Sequence, residues 1–187
     1  MTPDKIFFQG KTKTGKDLTI RYLKLDDTQL ITDFINQISE EKTFITFQGE
    51  KMSFKDEEKY VAQKVKNIKD KKSVHLLGFI DGELVANCDI DMKEKVFSHI
   101  GNFGLIVSKK HRGEGIGKII MNTVIEESKK NIKDLKIIIL GVFACNLIAK
   151  NLYTKMGFIE YGRLPQGLQY QGSFTDEILM YKNVTLS

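Results

Sequence analysis

The chain has 187 residues, 41% hydrophobic and 28% charged, which suits the core and solvated surface of one domain of ordinary size. No window approaches the ~18 apolar residues of a membrane span, and residues 1–10 lack the apolar run of a secretory signal. Two cysteines, Cys88 and Cys145, make neither a disulfide framework nor a paired metal motif, so a cytoplasmic protein without membrane contact is expected. The net charge of +5 comes from scattered lysines, clustered at 64–72 and 129–136 without interleaved aromatics. That pattern fits solvated helix faces rather than a nucleic-acid surface.

In chain order, Leu18–Leu25 alternates well enough for a first strand. Leu30, Ile31, Phe34, Ile35 and Ile38 recur at helical spacing and predict an amphipathic helix over 27–39. Ser53, followed by Asp56 and Glu57, marks a second helix start, and Val61, Val65 and Ile68 continue it. The period then changes. Val74–Ile80 and Glu83–Met92 are strand-like runs joined by Asp81-Gly82, a two-residue hairpin signal. Val96–Val107 predicts a third strand of this group. A helix is expected from about Gly117 to Lys130, and Lys136–Phe143 reads as a strand buried on both faces. Asn146–Met156 predicts a helix ended by Gly157, and Phe158–Leu164 and Ile178–Val184 are the last strands. The order β-α-α-β-β-β-α-β-α-β-β predicts an α/β fold, antiparallel at first and turning parallel around residues 108–117.

The stretch from Gly104 to Lys118 carries the most chemistry. A strand ends at Val107, the basic run Lys109-Lys110-His111-Arg112 follows, and glycines stand at 113, 115 and 117 just before an apolar helix. Glycines let backbone N–H groups approach a ligand unobstructed. A helix N-terminus adds unpartnered N–H groups and the positive end of the dipole. Together they suit a pyrophosphate, with Lys109, Arg112 and Lys118 adding charge at the rim. A Walker loop is excluded, because Gly113 and Gly117 are too close and Ile119 follows Lys118. The spacing is GxGxG, so the dinucleotide fingerprint GxGxxG is absent too. A tight turn without a ligand is the alternative for the loop alone.

Two motifs go further. Arg112-Gly-Glu-Gly115-Ile-Gly117 resembles the R/Q-x-x-G-x-G/A pattern of the GNAT acetyltransferases. Asn146-Leu-Ile-Ala149-Lys-Asn-Leu152-Tyr153-Thr-Lys-Met-Gly157-Phe158 resembles that family's N-x-x-A-x-x-L-Y-x-x-x-G-F. The resemblance covers residues 74–184, with 1–73 as a variable acceptor-side region. It implies one GNAT-type domain over 1–187, with a mixed sheet of about seven strands flanked by about four helices. Acetyl-CoA is the implied acetyl donor and a primary amine the acceptor: a small amine, an amino acid, a polyamine or a protein N-terminus. A homodimer is admitted.

Carried over residue by residue, the resemblance implies that Leu105, Ile106 and Val107 pair with the pantetheine arm, one of their N–H groups facing the thioester oxygen. The N–H groups of Arg112, Gly113, Glu114, Gly115, Ile116, Gly117 and Lys118 take the pyrophosphate, and Asn146 bonds the pantetheine. Tyr153 takes the place of the acid that protonates the departing thiolate. Between a free phenol and a thiol that transfer is uphill by about 2 kcal/mol. The alternative for Tyr153 is a core aromatic. The base is open: many relatives carry Glu where this chain has Asn102, which cannot act as one. Asp89, Asp91, Glu50 and His99 are the candidates, with structural roles as their alternative. His75 and His111 are isolated, so no metal is expected. Cys88 and Cys145 read as packing residues. Two other classes compete: a non-catalytic acyl-CoA-binding module, which should not need a phenol at the thiol, and a nucleic-acid-binding protein, which draws only on the net charge.

Overall fold

Asp81 and Gly82 both adopt positive φ, 51° and 81°, which gives the tight hairpin expected there. In the computed structural model, which describes residues 5–184, this turn joins β3 (Ser73–Ile80) to β4 (Glu83–Met92). The pair belongs to the first of two compact units, made of residues up to Asp91 together with Gly104–Lys133. Here β1 (Ile6–Lys11), β2 (Asp17–Tyr22), β3 and β4 run antiparallel in that order. β2 alternates as its sequence demands: Leu18, Ile20 and Tyr22 point into the core. β3 is buried almost throughout, and α3 (Ile116–Asn131) covers one of its faces, with Ile120 close to Gly78. α1 (Thr28–Glu40) buries Ile31, Phe34, Ile35 and Ile38 of the stripe the sequence predicts, while Leu30 at its edge is exposed. α2 (Phe54–Lys69) starts at Ser53, whose side chain accepts from Asp56 N. Such a cap contributes about 1 kcal/mol. Asp56 and Glu57 in its first turn and Lys66 and Lys69 in its last complement the helix dipole.

The second unit comprises Met92–Phe103 and the chain from Asp134 onward. β5 (Ile100–Val107) gives this unit its first half and the other unit its second. Ile100, Gly101 and Asn102 pair in parallel with β6 (Ile137–Phe143). β6 then pairs antiparallel with β8 (Ser173–Asn183), and β8 with β7 (Ile159–Tyr170). α4 (Leu147–Lys155) lies between β6 and β7 in the chain.

Eight strands and four helices are therefore present among the described residues, one strand more than expected. The extra one is β1, whose residues are exposed or half-buried and so lack a clear alternation. Three bounds also move. β5 starts at Ile100, because Lys95–Phe97 forms a 3-10 turn with Lys95 at φ 58°. β7 and β8 extend into a long hairpin closed by Gln171 and Gly172, both at positive φ. β6 is not buried on both faces: it alternates, with Gly141 exposed.

Candidate functional site

In the first unit, the glycine loop is built as an amide cradle. Gly113 and Gly115 stand at φ 82° and 87°, in the left-handed region, and Gly115 is the N-cap of α3. A Cβ on Gly113 would meet nothing within 4 Å, so this backbone faces open space. Among the described residues, no backbone acceptor meets the N–H groups of 113–117. Those of Arg112 and Lys118 are already bonded within the loop, to Lys109 O and Gly115 O. The cradle is thus narrower than the sequence implies, five amides rather than seven.

Side chains brace this loop from two directions. Glu114 turns inward and accepts from Lys16 Nζ at 2.6 Å, with His111 Nδ1 at 3.4 Å from its other oxygen. Hydrogen bonding to Lys16 holds its carboxyl below the usual range. Lys13 N donates to Glu114 O at 3.0 Å, and the Lys13 side chain lies against Gly115. The turn between β1 and β2 therefore fixes the cradle, a role the sequence does not announce. Arg112 does not stand free at the rim: Nε donates to Val107 O at 2.9 Å, and the guanidinium pairs with Glu41 just after α1. Glu41 also accepts from Lys109 N.

A second constellation in the same unit lies beneath α2. Asn87, Asp89 and Asp91 alternate onto one face of β4, where Asp89 stands opposite His75 of β3. Tyr60 and Lys64 descend from α2, one turn apart. Lys64 donates to Asp89 Oδ2 at 3.0 Å and also to Asp91, with its side chain only 12% exposed. The sequence reading of residues 64–72 as a solvated lysine face fails at Lys64, which finds two carboxylates inside. Removing one partner of such a buried pair typically costs about 3–5 kcal/mol.

Burial raises Asp89 into the neutral range against the opposing charge of Lys64, with Asp91 adding to the rise. Burial also pushes Asp91 up, but hydrogen bonding from Asp89 and the Lys64 charge outweigh it and hold it low. One carboxyl of the pair thus keeps its proton more readily than the other. Burial lowers His75 to about 4 and raises Tyr60 to about 12, so both are neutral near pH 7. His75 Nε2 meets Asn87 Oδ1. Burial raises Glu57 as well, aided by Asp56.

Four of these groups, Glu57, Tyr60, Asn87 and Asp89, border a pocket of about 230 Å³. Its apolar walls are Ile35, Phe47, Met52, Leu105 and Ile106, and its polar lining includes Glu57, Tyr60, Asn87 and Asp89. Gly104 completes the floor. A Cβ there would lie 2.7 Å from Asp89 Oδ1, so any other residue would require the carboxylate or β5 to shift. Of the four candidate bases, Asp89 alone lines this pocket. Asp91 pairs with Lys64, Glu50 is exposed and bonds Gln48 N, and His99 is exposed. Asn102 is exposed on the other half of β5.

In the second unit, Asn146 is the N-cap of α4, its Oδ1 accepting from Ala149 N at 3.1 Å. Its side-chain amide donors are not used by that bond. The other end of α4 explains why the motif ends in Gly-Phe. Gly157 stands at φ 84°, Gly157 N bonds Thr154 O, and Phe158 N bonds Tyr153 O. This is a Schellman closure, which brings the residue two beyond the C-cap Met156 onto the last turn of the helix. Phe158 accordingly packs on Tyr153, and Phe103 meets the Tyr153 ring edge-on at 5.9 Å. Tyr153 is 8% exposed and is packed as a core aromatic of this unit. Cys88 is buried as expected, but Cys145 is exposed rather than packed.

Among the described residues, no helix is long and apolar enough to cross a membrane. Nor is any group of three or more His, Cys, Asp or Glu placed to hold a metal.

Comparison with known proteins agrees with the two motifs. The model of the acetyltransferase (GNAT) family matches residues 34–158. The chain belongs to the GNAT family. L-amino acid N-acetyltransferase AaaT of Escherichia coli (strain K12) is 28% identical over 106 residues, covering 56% of this chain and 65% of that relative. The match therefore spans just under two thirds of the relative's length. A GNAT-family acetyltransferase from Streptococcus pneumoniae superposes with a TM-score of 0.82 at 24% identity, over 90% of this chain and 99% of that one. The structure of yncA from Salmonella typhimurium with its cofactor acetyl-CoA gives 0.77 at 17% identity, over 91% and 94%. The GNAT fold, α/β with a mixed arrangement of strands, is thus shared.

Proposed function

We propose that this GNAT protein transfers the acetyl group of acetyl-CoA to a primary amine by direct attack in a ternary complex. The observation that carries this reading is the run of amides at 113–117 without backbone partners, at the start of α3. It suits a pyrophosphate and has no other evident use. Glu114 and Arg112 serve it by bracing the loop, and Lys118 leaves its side chain for a phosphate. Leu105, Ile106 and Val107 supply the backbone that pairs with the pantetheine, and one of their N–H groups stabilises the oxyanion. Asn146 offers its side-chain amide donors to the pantetheine. Tyr153 gives its proton to the thiolate as the C–S bond breaks. The presence of acetyl-CoA in a structure of this fold supports the donor.

The test has two parts. Acetyl-CoA should raise the melting temperature, because a ligand of the native state stabilises it by mass action. Free CoA thiol should then appear only when an amine is added. Acetyl-CoA binding without amine-dependent CoA release over a broad amine panel would instead mark a non-catalytic acyl-CoA-binding module.

A further inference from the structure

We propose that the pocket beneath α2 receives an apolar primary amine without a free carboxylate, and that Asp89 takes the proton of its ammonium group. The inference rests on the acetyltransferase reading and deepens it by naming the base and the acceptor class.

Size and lining set the class. About 230 Å³ lies below the ~300 Å³ at which pockets for drug-sized ligands begin. The apolar walls suit an alkyl or aryl body. The ionisable groups lining the pocket are Glu57, Tyr60 and Asp89, and none can be a cation. The nearest cation, Lys64, is held by Asp89 and Asp91. An ammonium group is therefore welcome, whereas a carboxylate on the acceptor would face Asp89 and Glu57 without a partner, and the like charges would repel it.

Asp89 is chosen by position. It lines the pocket together with Leu105 and Ile106, the backbone assigned to the thioester end of the cofactor. The charged and titratable groups facing it are Lys64, Tyr60 and Glu57 from α2, His75 from β3 and Asp91 on its own strand. Tyr60 and His75 stay neutral near pH 7. Lys64 and Asp91 thus position and tune the base. R–NH3+ gives one proton to the Asp89 carboxylate, and the freed lone pair forms the C–N bond. The C–S bond breaks with its electrons on sulfur, and the thiolate is protonated to CoA–SH. The nitrogen loses a second proton as the amide forms. One proton in total leaves to solvent.

The experiment compares phenethylamine, L-phenylalaninamide and L-phenylalanine as acceptors for the wild type, Asp89→Asn and Lys64→Met, across pH 5–9. Acetyl-CoA-dependent thermal shifts are measured for each protein. The first two acceptors should exceed phenylalanine by roughly 10- to 100-fold in kcat/KM. Asp89→Asn should lower turnover roughly 10²- to 10⁴-fold while keeping the acetyl-CoA shift, which shows that it folds. The wild-type acid limb of kcat/KM should lie near neutrality. In Lys64→Met it should move to higher pH, because the cation favouring the ionised carboxylate is gone. Wild-type turnover and an unmoved acid limb in Asp89→Asn would overturn the base. Phenylalanine as the best acceptor would overturn the amine class. If the wild type gains no stability from acetyl-CoA, or releases no CoA with any amine, the acetyltransferase reading has failed, and this proposal with it.

Discussion

The glycine loop and the polar pocket beneath α2 belong to the same compact unit, yet they are encoded in opposite ways. The loop is a short contiguous stretch in which spacing alone fixes the chemistry: two left-handed glycines and a helix start. The pocket is assembled from α1, α2, β4, β5 and the segment between the two helices, and none of its residues lies in a motif. Local backbone chemistry can be read from neighbours in the chain. A side-chain constellation made by strand register and helix packing cannot. The part assigned to the donor and the part assigned to the acceptor divide along the same line, except that Leu105 and Ile106 belong to both.

Perturbing each region asks whether that division holds. The largest effect is expected from Gly117→Glu, which sets bulk and negative charge where a phosphate would approach. It should raise the acetyl-CoA dissociation constant by more than about 100-fold, over 2.7 kcal/mol, in a calorimetric titration. An unchanged constant would place the pyrophosphate elsewhere. Tyr153→Phe comes next. It keeps the ring that packs on Phe103 and Phe158 and removes only the hydroxyl. Since water can replace part of a general acid, a loss of roughly 10- to 100-fold in kcat with little change in the acetyl-CoA KM is expected. A defect confined to acetyl-CoA affinity would make Tyr153 a cofactor contact only.

Lys16→Met sharpens the comparison, because it acts on the loop from outside the motif. Without the bond to Glu114, the cradle loses a brace but none of its amides. Acetyl-CoA should bind roughly 3- to 10-fold more weakly, as expected for one partly exposed ion pair, with kcat at saturation unchanged. No change in affinity would show that the loop holds its shape unaided.

The smallest effect concerns the pocket and stability. Glu57 has a raised pKa because burial disfavours its charge, with Asp56 adding to the shift. Stability from such a group is full at low pH and is lost as pH rises through its folded pKa. Glu57→Gln removes that loss. The variant should melt about 1–3 °C higher than the wild type at pH 8, and the gap should close by pH 4. A gap that stayed constant with pH would mean that Glu57 is not the group responsible.

Much of the fold was legible because its signals are short-range. The Asp81-Gly82 turn, the Ser53 cap and the apolar stripe of α1 each follow from a few neighbouring residues. β1 escaped because its residues are exposed or half-buried and so carry no alternation. The starts of β5 and β8 slipped because Lys95 and Gln171 take positive φ, which neither residue type announces. In the loop, the N–H groups of 113–117 have no backbone acceptor among the described residues, whereas those of Arg112 and Lys118 are bonded inside the loop. Asp89 was one name among four until register set it beside Lys64 and Gly104. The one available hint was the spacing of Glu57, Tyr60 and Lys64, which puts them on one face of α2. Only β4 gives that face its meaning.

The central claim is that the glycine loop serves acetyl transfer to an amine. The most direct measurement is CoA thiol release from acetyl-CoA, followed with a thiol-reactive dye, with and without phenethylamine, for the wild type and Gly117→Glu. The account predicts amine-dependent release by the wild type and none above background by the variant at the same acetyl-CoA concentration. Equal release by both proteins would contradict it.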